Sequence, residues 1–285
     1  MLLAVTVVVS VKVFDGMVIA ADSATTLPLP NGSHQVYNNA NKIFHLHRQF
    51  PIAAATWGLG SIGSASISTL AKDLRRRFMG LDPTHLDWKL DDSYTVQGVA
   101  ERLIDMLFTE CYSPSVASGH TQRGTLGMLV AGYPGTGMSG EIWTVTIDDP
   151  ATRPVPQLDA GSDQFGWGAY AIKEAAARLL NGHDPELAAA LAQVTDASEH
   201  PAIQQVLASF TRQAVAPGMP FADAIKLAQF LTDVTIGYTH YLLGPDVVGG
   251  PVEVAGISRH EAFRWVSRKH YYSPDLNPKE PGHDF

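Results

Sequence analysis

One segment constrains this chain more than any other: TVVVSVKVFDGMVIAADSATT, residues 6–26. Two apolar, β-branched stretches, 4–14 and 17–22, flank Asp15-Gly16, a dipeptide that favours hairpin turns. The apolar run starts at the first residues, has no basic cluster ahead of it and is interrupted by Lys12. It is too short to span a bilayer and lacks the plan of a signal peptide, so it reads as a buried first strand. The second strand then shrinks to Ala20 and Ala21 and presents an acid, Asp22, followed by Ser23, Thr25 and Thr26. Asp, Ser and Thr are common where strands end. Whether Asp22 is more than an end depends on the rest of the chain.

A loop at 26–41 leads to a second hairpin, in which residues 42–47 and 52–57 flank a turn at 48–51. GLGSIG (58–63) opens a helix with Ile67, Leu70, Leu74 and Phe78 on one face. Val96, Val99, Leu103 and Leu107 mark a second helix near 94–111. Strands are expected at 125–133 and 140–148, with a short one near 154–158. Residues 161–180 read as a loop running into a helix. Asp184 before Pro185 and Glu186 is a helix N-cap with a proline in the first turn, and the chain stays helix-rich to about 215. Another helix starts at Pro220, with Phe221, Ile225, Ala228 and Leu231 on one face. Residues 249–258 return to strand and 261–266 extend the sheet. The tail, 271–285, is Pro-rich and polar. Strands and helices come in blocks, which favours layered α+β, two sheets between two helical layers, over a doubly wound parallel fold. No repeat or linker divides the chain.

Composition narrows the function. Of the 285 residues, 45% are hydrophobic and 17% charged, enough for a sizeable core. A net charge of −8 argues against nucleic acid or an anionic membrane as the main partner. Cys111 is the one cysteine, which leaves no intramolecular disulfide and no cysteine zinc site. His45 and His47 alternate on one strand without a third ligand at useful spacing, and HEAF (260–263) lacks a second histidine, so no metal is expected. GYPGTGMSG (132–140) lacks a following Lys-Ser/Thr and reads as a hairpin loop. No cofactor is expected, and the expected compartment is the cytoplasm.

Four residues in the first 58 carry the parts of a nucleophilic site: the Thr6 hydroxyl, the Asp22 carboxylate, the Lys42 ammonium and the Gly58 amide. The hairpin turn is not midway between Thr6 and Asp22, so register alone does not make them neighbours. In order and spacing, TVVVSVKVFDGMVIAADSATT, NKIF (41–44), ATWGLG (55–60), AGSD (160–163) and GPDVVGGPVEVAGI (244–257) resemble the β-type subunits of the proteasome family, which are N-terminal-nucleophile hydrolases. The resemblance covers most of the chain. It implies a four-layer αββα sandwich over residues 6–270, with a helical insertion near 183–218, and threonine-peptidase chemistry. Residues 1–5 would be a short propeptide and Thr6, once N-terminal, the nucleophile, with its freed α-amine as base. Lys42 would keep the local potential positive, Asp22 would hold that ammonium, and Gly58 would donate to the oxyanion. Ser162 and Asp246 would support the amine. Thr25, Ala40, Phe44, Thr56 and Gly60 would line the substrate pocket. The partners implied are a peptide or unfolded protein and further copies of the chain in a ring or ring-like assembly; an unfoldase partner is not specified.

Besides a longer 26–41 loop and the insertion near 183–218, the sequence departs from the family pattern at two positions of the site. Gly249 stands where a serine is usual, three residues after Asp246, and Val5 stands where a glycine usually precedes the nucleophile. These departures favour a rival expectation, an inactive structural or assembly subunit that retains its first residues. A third is an amidase of the same superfamily acting on a small amide.

Overall fold

β-branched residues dominate the first strand because both of its faces are buried. In the computed structural model, which describes residues 6–29, 34–121, 123–244 and 246–269, Val7, Val9, Val11 and Val13 face a helical layer. Val8, between them, faces a second sheet. The same alternation runs through the next strand: Val18 and Ala20 point to the helices, Met17, Ile19 and Ala21 to the facing sheet.

The elements follow in chain order as β1 (Val7–Val13), β2 (Gly16–Ala21), β3 (Thr25–Pro28), β4 (His34–Tyr37), β5 (Ile43–His45), β6 (Ile52–Gly58), β7 (Ser61–Ile62), β8 (Ala65–Ser66) and α1 (Ile67–Phe78). Then come α2 (Val96–Ile104), a π-helical stretch (Asp105–Tyr112), α3 (Ser113–Ala117), β9 (Leu126–Gly132), β10 (Glu141–Ile147), β11 (Gln157–Ala160) and β12 (Gly166–Ala171). The chain continues through α4 (Glu174–Asn181), α5 (Pro185–Val194), α6 (His200–Phe210), α7 (Phe221–His240), β13 (Glu253–Ser258) and β14 (Ala262–Ser267). One antiparallel sheet has the order β12-β1-β2-β13-β14, the other β11-β10-β9-β6-β5.

The two sheets pack through Met17, Ile19 and Ala255 on one side and Ile43, Ala53, Ala55, Leu129 and Ala131 on the other. Helix α7 covers the outside of the first sheet with Ala224, Ala228 and Leu231. Helices α1 and α2 cover the second sheet with Ile67, Leu70, Leu74, Phe78, Val96, Val99 and Leu103. The result is the expected αββα sandwich. Each buried Leu, Ile, Val or Phe contributes about 1.5–3 kcal/mol relative to an exposed position. No helix among the described residues is long and apolar enough to cross a membrane.

Four local expectations change. The first hairpin pairs Val13 with Gly16, so its loop is Phe14-Asp15 rather than Asp15-Gly16. Gly16 is a strand residue for a packing reason: a Cβ there would lie 2.6 Å from the Phe221 ring and 2.7 Å from the Ile257 carbonyl oxygen. The expected loop at 26–41 contains the two-stranded ribbon β3–β4. GLGSIG forms β6's end and β7, which pairs with β8 before α1 begins, and the Ser66 hydroxyl accepts from the Thr69 amide 3.1 Å away as N-cap. Residues 166–171 form β12, paired along β1, where a loop was expected. Gly-Trp-Gly-Ala-Tyr-Ala has weak strand preference of its own; the open edge of β1 supplies the pairing.

Candidate functional site

The register of the first hairpin settles how Asp22 meets the start of β1. Val8 pairs with Ala21, and one step further the Asp22 amide donates to the Val7 carbonyl at 3.3 Å. Asp22 therefore stands opposite Val7, next to Thr6. Its carboxylate turns back into the protein and is fully buried. Oδ1 accepts from the Val7 amide (3.0 Å) and from Lys42 Nζ (2.6 Å). Oδ2 accepts from the Ala24 and Gly249 amides, both at 3.1 Å. Two small residues, Ala20 and Ala21, bring the chain to this point, and a carboxylate with four donors is the reason the strand ends in an acid.

Lys42 reaches the pair from the start of β5, where its own carbonyl accepts from the Thr56 amide at 2.9 Å. Burial pushes the Lys42 ammonium below its ordinary pKa, and the Asp22 charge opposes that shift. The Lys269 charge lowers it further.

Thr6, Lys42, Gly58, Thr25, Ala40, Thr56 and Gly60 all border one cavity of about 780 Å³. The Thr6 side chain is itself buried, and the Thr6 carbonyl accepts from the Ile172 amide at 3.1 Å. Gly58 closes β6 with φ +85°, and a Cβ there would meet the Thr125 carbonyl oxygen at 2.1 Å. Only glycine fits this position.

Three expected site residues are placed elsewhere. Phe44 packs in the helix-facing core while its neighbour Ile43 faces the other sheet, so Phe44 does not line the Thr6 cavity. Ser162 lies in the loop before β12. That strand runs antiparallel to β1, with Gly166 opposite Lys12 and Ala171 opposite Val7, so Ser162 sits past the far end of β1. Six residues of strand correspond to roughly 20 Å. There its carbonyl accepts from Lys12 Nζ (3.3 Å) and Ser139 Oγ (2.6 Å). Asp246 is exposed, and its Oδ2 lies 2.9 Å from His240 Nδ1. Its loop nonetheless reaches the site through Gly249, whose amide serves Asp22 and whose carbonyl accepts from the Ser23 amide at 2.9 Å.

Two features escape the sequence reading. Ala171, at the end of β12, borders the cavity with φ 62°, an unusual conformation for a residue with a side chain. Behind Asp22 lies a second buried ion pair, with Lys269 Nζ 3.0 Å from Glu253 Oε2. The same ammonium donates to Ser23 Oγ (2.7 Å) and to the Ala40 carbonyl (2.6 Å), tying the segment after β2 to the segment before β5. An acid inside the apolar run GGPVEVAGI was the available signal for Glu253. Nothing local marks Ala171.

No family model matches the chain, and no curated protein is similar to it. Among solved structures it is similar to Anbu (ancestral beta-subunit) from Yersinia bercovieri, with a TM-score of 0.50 and 13% identity, over 93% of this chain and 89% of that one. The fold is proteasome-subunit-like. At this identity the likeness speaks for the sandwich and not for its chemistry.

Proposed function

We propose that the chain is a threonine-type hydrolase of peptide bonds, with Thr6 as nucleophile after removal of residues 1–5. One observation carries this reading: Thr6 borders the same cavity as Lys42 and Gly58, and Lys42 is held by the fully buried Asp22. A hydroxyl, a fixed cation and a strand-end glycine around one cavity are the parts that acyl transfer uses. Removal of residues 1–5 frees an α-amine with a pKa of about 7.7–8.0, suited to taking the Thr6 hydroxyl proton near neutrality. Thr6 Oγ then adds to the scissile carbonyl, and the amine returns the proton to the leaving nitrogen as the peptide bond breaks. Water hydrolyses the resulting ester and regenerates the hydroxyl. Lys42 favours the negative charge that develops on oxygen, and the Gly58 amide is the proposed donor to the oxyanion.

The proposed substrate is a peptide or unfolded protein, and the proposed working form is a homo-oligomeric ring or ring-like assembly in the cytoplasm. Intact mass, N-terminal sequencing and peptidase assays on the same preparation test the reading. The expected result is loss of MLLAV together with hydrolysis that Thr6→Ala abolishes. A full-length mass with undiminished peptidase activity overturns the mechanism. A second reading, a structural subunit that keeps residues 1–5, is favoured by Ser162 and Asp246 standing outside the cavity. A full-length mass with no activity supports it.

A further inference from the structure

A second cavity lies beside the first. Asn41 and Ser68 border both, with Asn41 Nδ2 3.4 Å from Ser68 Oγ. This cavity, of about 430 Å³, is bordered by Arg48, Lys72, Arg75, Arg264 and Arg268 and by no Asp or Glu. We propose that it binds a small phosphate-bearing molecule.

The five cations come from separate parts of the fold. Arg48 is in the turn after β5, Lys72 and Arg75 are one turn apart on α1, Arg264 is on β14 and Arg268 follows it. Among the described residues none of the five forms an ion pair. The chain as a whole carries −8, so a general excess of base does not account for them. Arg75 is half-buried at the back of the group. Burial, together with repulsion from Arg48 and Arg268, holds its pKa below the usual arginine value. Like charges facing one another across a concave surface raise the local concentration of anions. Arg268 is held in orientation by the Trp265 ring, 4.7 Å from its guanidinium carbon.

Guanidinium forks bind carboxylate and phosphate alike. Charge decides between them: a carboxylate brings one negative charge, a phosphate monoester about 1.5–2, and a diphosphate more. The cavity's volume falls within the roughly 300–1,000 Å³ of small-molecule sites. This inference is independent of any cleavage chemistry at Thr6.

Calorimetric titration of the full chain at constant ionic strength tests it, with sodium phosphate, sodium pyrophosphate and an acidic peptide ending in a free carboxylate as three separate probes. Saturable binding of phosphate and pyrophosphate is expected, pyrophosphate at least tenfold tighter. Arg268→Glu and Arg48→Glu, both at exposed positions, should each weaken pyrophosphate at least tenfold; the two variants guard against a folding defect in either. No saturable binding of pyrophosphate, or equal affinity in both variants, overturns the proposal. Binding of the peptide without phosphate or pyrophosphate also overturns it, and makes the cleft a peptide-docking site.

Discussion

Lys42 Nζ lies 2.6 Å from Asp22 Oδ1, with the Asp22 side chain fully buried and that of Lys42 only 6% exposed. Burying two charges costs several kcal/mol each, which their attraction recovers only with good geometry and further hydrogen bonds. Asp22 has those bonds, three of them from backbone amides. Removing the acid therefore strands a buried ammonium and three amides at once. Asp22→Ala should destabilise the protein by about 3–5 kcal/mol, read from urea unfolding. A loss below about 1 kcal/mol would show that the pair is hydrated in solution.

Lys42 has the complementary role in the proposed chemistry. Lys42→Ala should abolish peptide hydrolysis, and Lys42→Arg should not restore it, because a planar guanidinium does not replace a compact ammonium in a closed site. Steady-state rates on a short peptide decide this, and wild-type turnover in either variant removes Lys42 from the reaction.

The buried Lys269–Glu253 pair invites a double-mutant cycle. Lys269→Met alone leaves an uncompensated buried carboxylate and frees Ser23 and Ala40 from their shared donor. It should destabilise more than Lys269→Met combined with Glu253→Leu, in which neither charge remains. Equal or greater loss in the double variant contradicts a closed pair.

Two histidines should make stability fall with acid. His47 Nδ1 accepts the Gln49 and Phe50 amides at 3.2 and 3.1 Å, an arrangement that protonation of that nitrogen breaks. Burial lowers its pKa to about 4. Burial first, and then the Arg75 charge, lowers that of His45 to about 4 as well. Both values lie below the unfolded value of about 6.5, so in this range the unfolded chain binds more protons. Their contribution is intact above pH 6.5 and is lost as the pH falls towards 4. Melting temperatures between pH 7 and pH 4.5 should drop accordingly, less steeply in His47→Gln. A flat wild-type profile contradicts this.

With Phe44 turned away, the cavity beside Thr6 is bordered by the neutral Thr25, Ala40, Thr56 and Gly60 and by two cations, Lys42 and Arg123. Basic substrate side chains lose hydration there and meet like charges with no acid to pair with. Cleavage of a mixed peptide library should disfavour Arg and Lys on the acyl side of the cut. A dominant preference for Arg or Lys would show that this wall does not receive the side chain.

The sandwich was legible because buried strands and helical faces repeat apolar residues at fixed periods. Val7 to Val13 and Ile67 to Phe78 declare their faces by spacing alone. Gly16 misled the turn by one residue, since a glycine required by Phe221 across the core looks the same in sequence as a glycine required by a turn. That step places Asp22 opposite Val7. Ser162 was misplaced because β12 owes its pairing to β1 and not to its own residues. Once 166–171 is a strand antiparallel to β1, residue 162 falls at the wrong end. Lys269 and Glu253 meet through a hairpin whose closing geometry no local pattern reveals.

Gly58 combines a positive φ with a carbonyl oxygen 2.1 Å from where any Cβ would stand. Its proposed role rests on a main-chain N–H, which no substitution except proline removes. Every substitution at this position would displace the strand from Thr125 before it touched a reacting atom. An alanine scan would thus record Gly58 as a folding defect and give catalysis no credit. Only an exchange of the backbone atom itself, an ester oxygen for the amide nitrogen of residue 58, can separate the two roles.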